Sequence, residues 1–493
     1  MTLNERSAGI LLHPTSLPGP YGTGELGPEA LRFVRFLQDA GQRLWQTLPL
    51  SPTGENGSPY SAYSAFAGNP LLVSTDRLIE DSLLEVSTSG NLDTPVNYPA
   101  VTAVKEERLR EAFGRARSDR SFERFREEHR SWLQDYALYA ALKDRFDGEP
   151  WNEWDGDVSR RKPGALARVR RELAEEVRFC EWVQYRFFRD WGEVKGAANR
   201  AGIEVIGDLP IFVAHDSADV WANQNLFFLD GSGEPTVVAG VPPDYFSETG
   251  QLWGNPLYRW ERMAGDGYSW WVERMRMSLT LFDAVRIDHF RGLEAYWEVP
   301  AGEKTAANGH WMDGPKDDLF EALRSALGEL PIIAEDLGDI TPEVEALRDR
   351  LGLPGMKVLQ FAWGSGPDNP YLPHNYGHDN WVVYTGTHDN DTAAGWLASA
   401  SLQEMTSLRR YVGREYVSVG DLIRLAYSSV AARAVVPMQD VLSLGSEART
   451  NTPGVAQGNW TWRMDKAAFT PDLATRLRVM AETYGRYDAV LEV

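Results

Sequence analysis

The chain has 493 residues, of which 43% are hydrophobic and 25% charged, and its net charge at pH 7 is −21. This composition is typical of a folded globular protein, and an acidic chain without a basic face disfavours a nucleic-acid partner. The N-terminus lacks the apolar core of a signal peptide, no stretch approaches the roughly 18 apolar residues of a membrane span, and Cys180 is the one cysteine. We therefore expect no membrane partner and a cytoplasmic location.

Strand-like and helix-like stretches alternate along the chain, which predicts a parallel sheet with helical crossovers. The first strand is predicted at 8–14, followed by a helix at 28–40 and a second strand at 43–50. Residues 51–200 depart from this alternation. They begin with a loop rich in glycine, proline and tyrosine and continue as charged, helix-like sequence, so we predict an inserted loop and helical subdomain.

The alternation resumes after this insertion and continues almost to the C-terminus. Six further strands are predicted at 203–208, 283–288, 331–335, 356–362, 381–386 and 434–442. An irregular inserted loop is predicted at 223–258. Eight strands with helical connections predict a single (β/α)8 TIM barrel over residues 1–493, with insertions.

Acidic residues follow three of the predicted strands. Asp288 ends the fourth strand, Glu335 ends the fifth and Asp389 follows the seventh. A (β/α)8 barrel builds its active site at the carboxyl ends of its strands, so we expect these acids to meet there. Three carboxylates beside histidine and arginine, in a chain with 18 tryptophans, favour chemistry on sugars.

Arg286 and Asp288 lie two residues apart on one predicted strand. Because strand side chains alternate between faces, both should point the same way, and the guanidinium would then orient the carboxylate and favour its ionised form. An ionised aspartate held in place is the nucleophile that a covalent glycosidase mechanism needs. Asp208, at the end of the third strand, would support Arg286.

Glu335 ends the next predicted strand, which places it about 5 Å from Asp288 because neighbouring strands lie about 4.8 Å apart. This separation is typical of retaining enzymes, whereas inverting enzymes leave roughly 6.5–9.5 Å for a water molecule. The Asp288 charge should raise the pKa of Glu335, so that Glu335 acts as an acid. Asp389 would stabilise the transition state from across the mouth, and His289 and His388 would donate to sugar hydroxyls.

Other interpretations of these residues stay open. Acids at strand ends also cap helices or belong to ordinary polar loops. Histidine and aspartate alternate in RIDHF and THDND, as they do in some metal sites, but HExxH and EF-hand patterns are missing and Arg286 would repel a cation. We expect neither a metal nor a cofactor.

Several long motifs resemble those of a known family. They are RIDHFRG, AEDLG, FAW, TGTHDND, SPYSAYSAFAGNP and GVPPDYFSETGQLWGNP. Together with the HPTSLPGPYG start and the NTPGVAQGNWTWR segment, they resemble the amylomaltases, the 4-α-glucanotransferases of glycoside hydrolase family 77, which are relatives of the α-amylases. The resemblance covers nearly the whole chain and implies a (β/α)8 barrel without the separate C-terminal β-domain of the α-amylases. It implies transfer of α-1,4-glucan segments from maltooligosaccharides or amylose to glucose or another glucan.

The resemblance also implies roles for individual residues. Asp288 stands in the nucleophile position, Glu335 in that of the acid/base and Asp389 in that of the transition-state stabiliser. Residues 243–255 resemble a flexible lid over the active site. Substrate contacts are implied for Tyr60, which would stack under the reacting sugar, for Asp244, Tyr245, Phe246 and Trp253 in the lid, for Asn459 near the donor sugar, and for Arg286, His289 and His388.

Three functions share these features. A transferase and a hydrolytic α-amylase-type enzyme would use the same acids for the first step, and they differ in whether a glucan or water completes the reaction. A lid that excludes water would favour transfer. The third possibility, a catalytically silent glucan-binding protein, is disfavoured by the intact set of three acids.

Overall fold

The computed structural model describes residues 5–54, 56–85, 95–117, 119–243 and 247–488. Its strands are β1 (Ser7–Leu11), β2 (Leu44–Gln46), β3 (Glu204–Pro210), β4 (Val237–Val241), β5 (Gln251–Pro256), β6 (Ala284–Asp288), β7 (Ala295–Pro300), β8 (His310–Asp313), β9 (Ile332–Ala334), β10 (Gly355–Val358), β11 (Trp381–Tyr384) and β12 (Arg433–Pro437).

The helices surround these strands. They are α1 (Pro28–Asp39), α2 (Thr75–Glu80), α3 (Tyr98–Arg115), α4 (Arg120–Glu128), α5 (Arg130–Arg145), α6 (Gly156–Ser159), α7 (Pro163–Glu172), α8 (Ala174–Arg200), α9 (Ala218–Ala222), α10 (Trp260–Gly265), α11 (Ser269–Leu281), α12 (Lys316–Leu327), α13 (Pro342–Leu351), α14 (Ala393–Ser399), α15 (Leu402–Val412), α16 (Val419–Ser428), α17 (Met438–Val441) and α18 (Pro471–Thr483). Within the described ranges, no helix combines the length and apolarity that crossing a membrane requires.

Eight strands form the central parallel sheet, in the order β10-β11-β12-β1-β2-β3-β6-β9. The sheet closes on itself because the backbone N–H of Ala334, at the end of β9, donates to the carbonyl of Pro354 at 2.9 Å, just before β10. The predicted (β/α)8 barrel is therefore confirmed. Its first and last strands, β1 and β12, are neighbours in register over five residue pairs.

A second, antiparallel sheet lies beside the barrel, in the order β5-β4-β7-β8. Two of its strands fall within 223–258, so the prediction of an irregular loop there was wrong in part. The β7–β8 hairpin lies in a stretch to which the sequence pattern assigned no element. The edge strands β5 and β8 are mostly exposed, so they lack the buried apolar run that marks a barrel strand.

Most predicted barrel strands are shorter in the structure than in the sequence pattern, and the second, sixth and eighth differ most. The second covers Leu44–Gln46, the sixth turns into a 3-10 helix at Leu359–Phe361, and the eighth gives way to α17 after Pro437. In each case the apolar run continues past the strand because the following loop is also buried against the barrel. Hydrophobicity reports this burial and not the hydrogen-bonding geometry of a strand.

The helices within 51–200 pack against the barrel through aromatic and polar contacts. Trp191 of α8 lies between Trp45 of β2 and Phe282, with ring centroids 6.0 Å from each, and its indole N–H donates to the carbonyl of Leu281 at 2.9 Å. Gln184 exchanges two hydrogen bonds with the backbone of Gly68. These contacts fix α8 against the barrel wall.

Two arginines close the junction between the N-terminal and C-terminal parts of the barrel. The Arg486 side chain is fully buried and donates to the carbonyl oxygens of Ser7, Ala426, Tyr427, Ser429, Ala431 and Ala432 at 2.8–3.3 Å. Arg6 donates to three of the same carbonyls. Several of these oxygens belong to the C-terminal end of α16, where a helix leaves its carbonyls without intrahelical partners.

Candidate active site

The three predicted acids lie at the carboxyl-terminal mouth of the barrel. Asp288 is the last residue of β6, Glu335 follows β9 directly and Asp389 lies in the loop after β11. Strands β6 and β9 are parallel neighbours, with Ile287 opposite Ala334. The next residue of each strand is an acid, so Asp288 and Glu335 emerge side by side.

Arg286 connects Asp288 to a buried second carboxylate. Its Nη2 donates to Asp288 Oδ1 at 2.9 Å and its Nη1 donates to Asp208 Oδ2 at 2.5 Å. The guanidinium is buried, while the Asp288 side chain retains 28% of its exposure at the mouth. The predicted contacts of Arg286 with Asp288 and Asp208 are confirmed. The pairing fixes the Asp288 carboxylate, which stays partly exposed at the mouth.

Tyr60 reaches the same network from the inserted loop. Its hydroxyl donates to Asp208 Oδ2 at 2.8 Å, and its ring stacks on His388 with centroids 5.1 Å apart and planes 15° apart. Burial, followed by the Asp208 charge, raises the pKa of Tyr60 well above its usual value, so the hydroxyl stays a hydrogen-bond donor. Trp460 packs at a tilt against both rings, 5.8 Å from the Tyr60 ring and 6.0 Å from the His388 ring.

Asp389, in the loop after β11, is held by two neighbours at the same mouth. Asn451 Nδ2 donates to its Oδ1 at 2.6 Å, and His388 Nε2 lies 3.3 Å from its Oδ2. Arg449 also donates to the Asp389 backbone carbonyl at 2.6 Å. Sequence reasoning missed Asn451 and Trp460. Both lie in the segment NTPGVAQGNWTWR, Asn451 at its start and Trp460 directly after Asn459. This segment has no periodic pattern that would indicate where it lies in the fold.

The carboxyl group of Glu335 has a strongly raised pKa. Burial, the largest effect, raises the pKa of Glu335 to about 8, and the Asp288 charge adds a smaller increase, while Arg286 opposes both. The predicted direction is correct, but burial and not Asp288 is the main cause. The backbone N–H of His289 donates to Oε2 at 2.7 Å and that of Leu337 to Oε1 at 3.0 Å, which fixes the carboxyl group.

His289 adopts a backbone conformation that few non-glycine residues take. Its φ is 54°, in the left-handed region, and this turn directs its N–H towards Glu335. Burial lowers the pKa of its imidazole to about 4, so the ring is neutral at pH 7. The ring packs edge-on against Trp253, with centroids 4.7 Å apart.

Of the remaining predicted substrate residues, the structure describes Trp253 and Asn459. Trp253 lies on β5, 38% exposed and against His289. Asp244, Tyr245 and Phe246 lie outside the described residues. Asn459 uses its side chain within its own loop, accepting from the N–H of Thr452 at 2.9 Å and donating to the carbonyl of Val455 at 2.8 Å.

Comparison with known proteins gives one consistent result. A family model described as 4-alpha-glucanotransferase matches residues 12–468. The 4-alpha-glucanotransferase of Thermus thermophilus is 52% identical over 495 residues, which cover 98% of this chain and 99% of the relative. That of Synechocystis sp. is 50% identical over 499 residues, with the same coverage.

The solved structure of an amylomaltase from Streptococcus agalactiae in complex with acarbose matches with a TM-score of 0.94 at 36% identity. The match covers 98% of this chain and 100% of that one. Sequence family, relatives and fold thus agree over almost the full length of the chain. The chain therefore belongs to the 4-α-glucanotransferases of glycoside hydrolase family 77.

Proposed function

We propose that this chain transfers α-1,4-glucan segments by a retaining double displacement, with Asp288 as nucleophile, Glu335 as acid and base, and Asp389 as transition-state stabiliser. The observation that carries the proposal is the contrast between two adjacent acids. Asp288 is paired with Arg286 at 2.9 Å, whereas burial raises the pKa of Glu335 to about 8. One acid is thus suited to attack and its neighbour to donate a proton.

In the first step, an Asp288 oxygen forms a bond to the anomeric carbon as the glycosidic C–O bond breaks. The proton of Glu335 goes to the departing 4-oxygen of the leaving glucan. Asp389 faces the positive charge that develops on the sugar ring, and Asn451 and His388 hold it in place. The products are a glucosyl ester of Asp288, a free glucan and an ionised Glu335.

In the second step, Glu335 takes the proton from the 4-hydroxyl of an acceptor, whose oxygen attacks the anomeric carbon as the bond to Asp288 breaks. We propose glucose and maltooligosaccharides as acceptors. Water, at about 55 M in bulk, competes for the same ester, so transfer requires a bound acceptor and a site with restricted water. Trp253, exposed beside His289, is suited to stack on the acceptor.

Incubation with maltotriose tests the proposed transfer. We expect glucose and longer maltooligosaccharides to form while the total number of reducing ends stays constant. Chain lengths are followed by chromatography and reducing ends by a colorimetric assay. Reducing ends that rise in step with the loss of maltotriose would identify a hydrolase, and an unchanged substrate would identify a binding protein.

Truncating Trp253 should weaken the exclusion of water. In Trp253→Ala, we expect the ratio of hydrolysis to transfer to rise about threefold or more, because the acceptor loses a stacking surface and water gains access to the ester. The same maltotriose assay measures both products. The control is Trp311→Ala, which removes a tryptophan of equal exposure from β8, at the other edge of the same sheet. A ratio that rises equally in both variants would argue against a specific role for Trp253.

The raised pKa of Glu335 predicts a characteristic pH profile. Glu335 must be protonated to donate in the first step, so kcat/KM should be constant between pH 6 and about 8 and fall about tenfold per pH unit above it. Measuring initial rates between pH 6 and 10 locates this alkaline limb. A limb below pH 6 would contradict the assignment of Glu335 as the acid.

We also propose that the reaction takes place in the cytoplasm. A single cysteine in 493 residues is in keeping with a reducing compartment, because the chain has no internal disulfide to maintain. Cell fractionation with the maltotriose assay checks the location, and activity confined to a membrane or secreted fraction would contradict it.

A further inference from the structure

The seam between β9 and β10 is completed by a side chain. The carbonyl of Pro354 accepts the N–H of Ala334, and Asp336 Oδ1 accepts the N–H of Met356 at 2.7 Å. The carboxylate thus takes the position that a backbone carbonyl would have in a regular ladder. Asp336 follows Glu335 directly, so the residue that closes the barrel is covalently joined to the residue with the raised pKa.

Positively charged side chains surround the buried carboxylate of Asp336. Its Oδ2 forms a buried ion pair with Arg348 of α13, and Arg348 also binds Asp349 at 2.7 Å. Lys357 of β10 places its ammonium 4.0 Å from the centre of the Trp381 ring. Its positive charge also acts on the Asp336 carboxyl group. A Cβ on Gly355 would collide with Asp336 Oδ2 and with Trp381, so a glycine is needed there.

We propose that Asp336 is a positioning residue for the transfer reaction: it closes the barrel seam through the Met356 N–H and Arg348 and thereby holds the adjacent Glu335, on whose carboxyl group its negative charge also acts. The inference rests on the proposed role of Glu335 and extends it to a residue outside the sugar cleft. Asp336 is 7% exposed and faces the outside of the seam, so it acts through Glu335 and not on substrate.

The charges around the pair determine the direction of the effect. Burial raises the pKa of Glu335 most, Arg286 lowers it, and Asp288 and, to a smaller extent, Asp336 raise it further. Burial raises the pKa of Asp336 itself, while Arg348, the Met356 N–H and Lys357 oppose that increase. Tyr371 lies within electrostatic range of both acids. Removing the Asp336 charge should therefore make Glu335 easier to ionise.

Asp336→Asn tests the electrostatic part. An asparagine keeps an oxygen for the Met356 N–H, and Arg348 keeps Asp349 as a partner, so the seam should persist. We expect the alkaline limb of kcat/KM to move to lower pH by about half a unit or more, and kcat at pH 8 to fall while KM changes little. A limb that coincides with that of the parent enzyme would overturn the proposal.

The matched control is Asp190→Asn on α8. Asp190 is fully buried and accepts a backbone N–H, that of Ser74 at 2.9 Å, but it lies outside the catalytic mouth. We expect this variant to lose stability without moving the alkaline limb. If it moves the limb as far as Asp336→Asn does, the shift is a general effect of destabilisation and the proposal fails.

Gly355→Ala tests the geometric part without changing any charge. The added methyl group should displace the Asp336 carboxylate from the Met356 N–H, so kcat at pH 6–7, below the alkaline limb, should fall at least about tenfold. Parent-like kcat in this variant would overturn the positioning role. Asp288→Asn should abolish transfer whether or not Asp336 has this role. The activity of Asp288→Asn therefore tests the proposed mechanism separately from this inference.

Discussion

Replacement of Asp288 by asparagine is expected to reduce kcat for maltotriose disproportionation by about 10⁴-fold or more, because an amide cannot form the ester on which both steps depend. The substitution keeps the size of the side chain and one oxygen for Arg286, so the fold should persist. Rates from the maltotriose assay, with circular dichroism to verify folding, measure the effect. Substantial residual activity would refute Asp288 as nucleophile.

Asp283→Asn is the matched control for this substitution. Asp283 precedes β6, at the opposite end of the strand that carries Asp288, and accepts the backbone N–H of Val205 at 2.8 Å. Residues at the amino-terminal face of a (β/α)8 barrel serve stability and not chemistry. We therefore expect kcat to remain at the parent value even if the variant is less stable.

The covalent step can be observed directly in a Glu335→Gln variant. With α-maltotriosyl fluoride as donor, fluoride leaves without a proton, so the Asp288 ester forms although the acid is absent. Without a base, its transfer to an acceptor is slow and the ester accumulates. Mass spectrometry of the protein should show one added maltotriosyl group, and peptide mapping should locate it on Asp288. An adduct on any other residue would exclude the proposed mechanism.

The second large effect concerns stability. Arg486→Met should lower the free energy of unfolding by about 4 kcal/mol or more, because the six carbonyl oxygens that Arg486 serves would lose a buried donor. The seam between β1 and β12 and the end of α16 would weaken together. Urea denaturation followed by tryptophan fluorescence measures the change.

Arg478→Met is the control, since Arg478 makes similar bonds in a more exposed place. It donates to the carbonyls of Gln38 and Asp39, at the end of α1, where water can replace it. We expect this variant to lose less than about 1 kcal/mol. Equal losses in the two variants would show that burial of Arg486 adds nothing to the stability of the barrel.

The adjacency of Asp288 and Glu335 was predictable because it depends on local rules. An apolar run marks each buried strand, side chains alternate along it, and parallel neighbours end at the same edge of the sheet. The pairing of β6 with β9 follows from these rules together with the order of strands in the chain. The contact between Arg286 and Asp288 needs only their spacing of two residues.

Contacts between distant segments were not predictable in this way. The hydroxyl of Tyr60 binds Asp208, 148 residues later in the chain, and Asn451 binds Asp389 from a loop without periodic pattern. The dominance of burial in the pKa of Glu335 also depends on the surrounding packing, which a sequence pattern does not report. The lid residues Asp244, Tyr245 and Phe246 lie outside the described residues, so their contacts stay a prediction.

The pairing of β1 with β12 has a consequence for how the enzyme is made. A ribosome synthesises the first barrel strand early but supplies its partner, and then Arg486, only near the end of translation. Until then the nascent sheet has unpaired edges that can associate with other chains, and the barrel cannot complete its hydrogen bonding. Yield of folded enzyme should therefore depend on chaperones that protect the growing chain during translation.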